Sequence, residues 1–559
     1  MQLATKDIIV FLLYFIIVAS YGYWIYLKRK SKEHDSKAFF LAEGSLTWWA
    51  IGASLIASNI SAEQFIGMSG DGYFVGIAVA AYEWIAAVAL IIIAIWFMPV
   101  YLKNKIYTMP QFLKTRYNET VSVIMAVFWL LLYVFVNLTS ILFLGSVAIS
   151  GLVGPEYFHS IMVALAIFAV FITLGGMKVI GYTDVIQVLV LIIGGLVTVV
   201  IALDKVSGGN GPVRGLSAVM NEAPDHFHMI LSKPTASSSQ LEINKYLILP
   251  GILMYAAGQW IANLNYWGCN QYITQRALGA DLPTARKGLV FAAFLKLLMP
   301  IIVMLPGIAA YVLVQQGKLP AMGKDNAYSS VLGFLPEGLR GLSIAALTAA
   351  IVASLAGKAN SISTIFTLDI YKKYINKEAT EKKMVWTGRM AVLVAMIIAL
   401  LFTWKDMLGI KGEGGFTFIQ KYTGFISPGV FAMFLLGMFW KRTTGAAAIA
   451  GLLSGFLLSV FFNEFAPKLL GNETFLYTAY DTGKVLANGN HVFQVPFLIA
   501  MGLAFMFTVI IMVVMSLAGP KVNPKAFELD KSMFRIKPSL LAMIVVILFI
   551  LTALYAKFW

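Results

Sequence analysis

Apolar runs of about twenty residues recur from one end of this chain to the other, each long enough to cross the ~30 Å hydrocarbon layer of a bilayer as an α-helix. No other feature limits the fold so strongly. Backbone in lipid has no water to bond, so only helices and closed barrels can span it, and the weak alternation of ~10-residue barrel strands is nowhere visible in the 559 residues. About fourteen spans are expected, near 8–27, 47–69, 75–100, 121–150, 157–175, 182–203, 246–272, 287–315, 336–368, 388–404, 415–438, 443–463, 493–518 and 538–558. The expected fold class is an all-α polytopic membrane protein. Composition agrees, with 12% of residues charged where a soluble chain has about a quarter. The first span has neither a basic leader nor a distinct small-residue cleavage site, so it reads as retained rather than as a signal peptide.

The net charge of +15 invites a nucleic-acid partner, but its placement points elsewhere. The basic residues concentrate in alternate loops, among them 28–37, 103–116, 372–389 and 521–537. The positive-inside rule then places both termini outside a plasma (inner) membrane. No nucleic acid and no obligate protein partner is expected, and oligomeric state is not legible. The single cysteine, Cys269, leaves no room for an intramolecular disulfide. All five histidines fall in loops or at span edges, and His226 and His228 read as a solvated loop in preference to a metal pair. With no G-x-S-x-G, P-loop or H-E-x-x-H, nothing supports an enzyme, and no catalytic residue is assigned.

Two spans are interrupted. In "ASLIASNISAEQFIGMSG" (53–70), five of the seven side chains from Ser58 to Gln64 are polar and Glu63 is ionisable. Such a stretch is tolerable at mid-membrane where backbone lines a cavity or is buried in protein; the alternative is a polar face gluing helices together. The seventh span, "LPGILMYAAGQWIANLNYWGCNQY" (249–272), carries Gly258, Gln259, Asn263, Asn265 and Gly268 at matching depth. Four uninterrupted spans separate the two breaks and four more follow the second, with opposite direction of crossing. That is the plan of an inverted-repeat secondary transporter. The expected organisation is an extra helix and loop over 1–44, a first repeat over 45–204, a loop over 205–245, a second repeat over 246–440 and three further helices over 441–559.

Ionisable residues within spans cost roughly 2.5–3.5 kcal/mol each on insertion scales and mark function by default. They are Glu63, Glu83 in "AYEW", Asp184 in "YTDVIQ", Lys296 in "FAAFLKLLMP" and Lys358 in "SLAGKANS". Of these, Glu83 and Lys296, together with Asn263, Gln64, Gln420 and the aromatics Tyr82 and Trp84, suit a polyhydroxylated neutral solute better than an amino-acid carboxylate or a quaternary ammonium.

These residues sit in longer stretches, "WWAIGASLIASNISAEQFIGMSG" (48–70), "NYWGCNQYITQRAL" (265–278), "GLVFAAFLKLLMPIIVMLPGIAAY" (288–311), "STIFTLDIY" (363–371) and "FTFIQKYTGFISPGVFAMFLLGMFWKRTT" (416–444). With them the chain resembles, over nearly its whole length, the sodium:solute symporter family in its sodium/glucose cotransporter branch. The resemblance implies a LeuT-type core of five plus five helices related as inverted repeats, with one extra helix before and three after. It implies sodium as the coupling ion, with no other cofactor, and symport of a hexose such as galactose or glucose by alternating access. Asn59, Gln64, Tyr82, Glu83, Asn263, Lys296 and Gln420 would bind the sugar. Met68 and Phe416, with Tyr82, would close the outer side; Tyr266 and Trp267 would stack on the ring and block the inward exit. Sodium would take oxygens from Ala57, Ile60, Ala350 and Ser354, with Asp184 on its exit path.

The chain departs from the family at that ion site. Ala353-Ser354 stands where two hydroxyl residues are usual, and Lys358, four positions on and on the same helical face, stands where relatives are typically apolar. Ala353 and Lys358 are therefore suspected modifiers of coupling. Either Ser354 and carbonyls hold a weaker sodium ion, or the ammonium of Lys358 replaces it and transport is proton-coupled or facilitative. A sugar sensor without sustained flux, and an inositol-like polyol as substrate, also stay open.

Overall fold

The computed structural model describes residues 4–29, 47–60, 63–106, 108–173, 177–410, 415–486 and 489–559. Among these, eleven helices are each long and apolar enough to cross a membrane, and one bent pair makes a possible twelfth. The bent pair is Gln240–Ala256 with Gly258–Cys269, and its axis turns by 82°. The two remaining expected spans, 8–27 and 47–69, are not among those twelve. Thr5–Arg29 is a helix of 25 residues, and Trp48–Asn59 has 12 and stops at the first break.

That break is local backbone chemistry. Ser58 donates its hydroxyl to the Ser54 carbonyl one turn back, a local bond that weakens the helix end, and Ile60 turns extended at φ −74°, ψ 109°. The chain resumes as a π-helical turn over Glu63–Met68, followed by the short helix Ser69–Phe74. The seventh span differs from expectation. Its polar stretch stays helical and breaks at either end, at Ala257 (φ −123°, ψ −109°) and at Asn270 (φ −96°, ψ 123°). Asn263 contributes: its Nδ2 donates to both the backbone and side-chain oxygens of Gln259, one turn back, so this amide finds its partners along its own helix.

The chain divides into two compact units, each assembled from three separate stretches. The first takes residues 1–77, 123–227 and 271–419. Its axis is the helix Leu339–Thr364, against which Thr5–Arg29, Trp48–Asn59, Thr139–Val153, Phe158–Thr173, Met177–Val206 and Glu381–Trp404 all pack. Small side chains permit this. Ala345, Ala346, Ala349, Ala350 and Ala353 are all buried, as close helix approach in membranes requires. Tyr14 and Val18 of the N-terminal helix seat on Ala345 and Ala349. Elsewhere in this unit, Trp48–Asn59 lies on Leu282–Val303 with Gly52 against Gly288: a Cβ at Gly52 would come 2.8 Å from the Gly288 carbonyl oxygen.

The second unit takes residues 78–122, 228–270 and 420–559. Phe497–Leu517 packs on both Gly445–Val460 and Gly258–Leu264, and Ala81–Ile92 packs on Gly258–Leu264 and on Pro538–Phe558. The C-terminal helix is fixed by Tyr555, whose hydroxyl meets that of Tyr255 at 3.0 Å and whose ring sits edge-on to Trp84. Arg116, fully buried, donates to the carbonyls of Gly437, Trp440 and Thr443 at 2.7–3.1 Å. It closes the C-terminal end of Gly415–Phe439. One element escapes an all-α reading: Tyr480–Val485 pairs antiparallel with His491–Gln494 in a two-stranded hairpin, in a loop with no apolar periodicity to announce it.

Candidate functional site

In the first unit the expected residues meet at the end of Trp48–Asn59. The last carbonyls of a helix have no donor within it, and the side chain of Asn59 stands beside them. Its Oδ1 accepts from the ammonium of Lys296 and, at 3.4 Å, from Nε2 of Gln64. Lys296 is 1% exposed and Gln64 5% exposed, so an amide oxygen draws two donors together in a nearly dry place. The crossing at Gly52 and Gly288 sets this register. Asn59 lies seven residues beyond Gly52 and Lys296 eight beyond Gly288, rises of about 10 and 12 Å along two α-helices, so the two side chains arrive at one level. The residues expected to close the outer side are in this unit too. Met68 and Phe416 are buried, and a Cβ at Gly67 would lie 2.5 Å from the Cβ of Phe416.

The expected ion site shares the same turn as Asn59. Ser354 is fully buried, and its hydroxyl reaches the carbonyl of Ser58 at 3.5 Å. Ser58 lies between Ala57 and Ile60, and all three, with Ala350 and Ala353, are buried. The Ser58 carbonyl and the Ser354 hydroxyl are neutral hard oxygens, the donor type that suits an alkali cation. Lys358 is also buried, one turn along from Ser354; it does not reach solvent from its helix. The side chains of Asp184 and Glu63 lie outside the described residues.

The second unit holds the other expected residues. Tyr82 and Glu83 are buried in the first turn of Ala81–Ile92, on the helix that packs against Gly258–Leu264, the helix that carries Asn263. Tyr266 and Trp267 stand edge-to-face, ring centroids 5.2 Å apart, with Trp267 buried and Tyr266 half-buried. Gln420 is half-buried. Asn265 donates to the hydroxyl of Ser427 at 3.0 Å, and the Tyr101 hydroxyl donates to the Gly268 carbonyl at 2.7 Å, so this polar stretch is braced on both sides.

Sequence reasoning missed several charged residues. Asp71 is 1% exposed and bonded to Lys324; it sits in "SGDG", which reads as the end of a span. Asp7 is fully buried and bonded to Arg340. The expectation of a solvated loop for His226 also fails: it is buried, stacked on Tyr311 at 4.1 Å, with Nε2 3.1 Å from the Tyr73 carbonyl. The Tyr311 ring and the Tyr73 carbonyl stand where a solvated loop would place water.

Residues 39–455 match the family model described as the sodium:solute symporter family. This chain belongs to that family. Among curated symporters it is 42% identical to the sodium/glucose cotransporter of Vibrio parahaemolyticus, over 99% of this chain and 98% of that one. It is 34% identical to human sodium/myo-inositol cotransporter 2, over 81% of this chain and 69% of that one. Its fold is that of a solved sodium-coupled sialic acid symporter (TM-score 0.75, 20% identity, 93% of this chain and 99% of that one). A nucleobase-cation-symport-1 family transporter is more distant (TM-score 0.51, 14% identity, 87% and 96%). Membership makes the chain a membrane transporter of LeuT-like fold.

Proposed function

We propose that this symporter carries a hexose, galactose or glucose, together with sodium across a plasma membrane by alternating access. The observation that carries the reading is the end of Trp48–Asn59, where two kinds of chemistry share one turn. Asn59, Gln64 and Lys296 are hydrogen-bonding partners for sugar hydroxyls, and the Ser58 carbonyl beside the Ser354 hydroxyl supplies hard oxygens for a small cation. An ion that orders those carbonyls fixes the position of Asn59, which is how one solute would set the affinity for the other.

The remaining roles are carried over from the resemblance. Tyr82, Glu83, Asn263 and Gln420 complete the partners of the sugar, Met68 and Phe416 close the outer side, and Tyr266 with Trp267 closes the inner one. Ala57, Ile60, Ala350 and Ser354 hold sodium, and Asp184 lies on its way out. Inverted repeats over 45–204 and 246–440, and termini outside, complete the reading. The names of the relatives support sodium together with either a hexose or an inositol-like polyol, and nothing observed favours sodium-independent transport or a sensor. Ala353 removes one hydroxyl, so the ion site is weaker than a two-hydroxyl site but of the same kind.

Uptake of labelled galactose and glucose into proteoliposomes tests the proposal. An inward sodium gradient should accumulate one of them above its external concentration, while matched potassium or proton gradients should not. Equilibration alone, indifferent to sodium, would make the protein a facilitator and refute coupling.

A further inference from the structure

The short helix Ser69–Phe74 continues the first broken span beyond the expected sugar site, and it is gripped by a lysine from a distant loop. Lys324 opens the tight turn Lys324–Asn326 in the connection 316–335. Its ammonium lies 2.7 Å from Oδ1 of Asp71, 3.4 Å from the hydroxyl of Thr417, and 5.8 Å above the ring of Phe74. Asp71 is 1% exposed and the Lys324 side chain 21%, so the carboxylate is out of water and the ammonium is at its edge. The contact extends to the backbone. Gly70 has no room for a side chain, since a Cβ there would lie 2.7 Å from the Lys324 carbonyl oxygen.

The position of these three partners gives the pair its meaning. Asp71 follows Met68 by three residues, one helical turn, and Thr417 directly follows Phe416. One ammonium therefore spans the two segments that carry the outer-gate residues, and those segments already touch at Gly67 and Phe416. We infer that Lys324 is a positioning residue of the outer gate, an ionic latch that holds Ser69–Phe74 and the start of Gly415–Phe439 together in the closed state. The inference rests on the proposed gate roles and topology. Its physical basis is asymmetric. A buried carboxylate deprived of its cation is strongly disfavoured unless water reaches it, and water reaches Asp71 only when these segments separate. The pair thus opposes opening, and removing either charge shifts the population toward the open state.

The test uses the full chain with Cys269→Ala and a reporter Met68→Cys, treated on intact cells, without sugar, with a membrane-impermeant methanethiosulfonate ammonium reagent. Lys324→Gln should raise the modification rate about tenfold, the scale of one charge-assisted hydrogen bond, and Asp71→Asn should do the same. The double variant should be no faster than either single one, and Lys324→Arg should return the parent rate. Unchanged rates in Lys324→Gln, or rates that add in the double variant, would overturn the latch; so would a lowered melting temperature with no change in rate, which marks a staple of the fold. Should the reporter fail to express, the sodium half-saturation of uptake replaces it: in alternating access external sodium enters through the opened outer gate, so Lys324→Gln should lower it several-fold, and no shift would overturn the inference. Modification rates need no transported sugar, so a failed hexose assignment leaves this result standing.

Discussion

Lys296 is a charge in the interior of a membrane helix, and the oxygen of Asn59 is what it finds there. A hydrogen bond to a charged group contributes about 1.5–3 kcal/mol, so losing the ammonium costs Asn59 its donor and, in the proposed role, the sugar a partner. Lys296→Met should raise the KM for sugar at least about tenfold while sparing the maximal rate much more, as measured by uptake in proteoliposomes. Lys296→Arg should not rescue it, because a planar fork does not fit a slot shaped for a point charge. Each of these residues was visible in the sequence, since an ionisable or amide side chain in an apolar run stands out by its cost. Their pairing was not, because 237 residues separate them. Asp71 escaped altogether. Flanked by glycines past the break, it looks like solvated turn until a lysine 253 residues away buries it.

Elements are joined here by groups that finish the ends of one another's helices. Asp7, in the first turn of the N-terminal helix, accepts from the backbone N–H groups of Gly338 and Gly341 at 2.8 and 3.0 Å and from the Arg340 guanidinium at 2.9 and 2.5 Å. It serves as the N-terminal cap of Leu339–Thr364, the helix that carries Ser354, and the favourable helix dipole adds to the ion pair. Breaking a buried pair by removing one partner costs about 3–5 kcal/mol. Asp7→Asn should therefore lower the melting temperature in detergent by several degrees, and pairing it with Arg340→Met should cost clearly less than the two single losses added together. Equal, additive losses would show that each side chain acts alone. Arg116 does the complementary work at a C-terminal end in the other unit. Hydropathy located these helices, but it carries no record of which helix end a distant carboxylate or guanidinium will complete. The two breaks show the same limit. Polar composition marked both stretches, but the first opens within its polar stretch at Ile60 and the second at its margins, at Ala257 and Asn270.

For the molecule as a whole, coupling is a statement about two affinities. If sodium at Ser354 and sugar at Asn59 favour the same state, saturating sodium must tighten sugar binding by the same factor that saturating sugar tightens sodium binding, typically 5–150-fold. Equilibrium binding of each ligand with and without the other measures both factors. A factor of one would leave the sites uncoupled. Lys358→Met should leave the factor unchanged, and a large gain would reveal the buried ammonium as a competitor of the ion. By itself the sequence determined the membrane, the helical class, the two interruptions and the family, because each is written in runs of neighbouring residues. Tertiary structure alone decided which residues act together. The close crossing at Gly52 and Gly288, the cap from Asp7 and the grip of Lys324 on Asp71 all join positions hundreds of residues apart, and the burial that gives those contacts their strength exists only once the chain has folded.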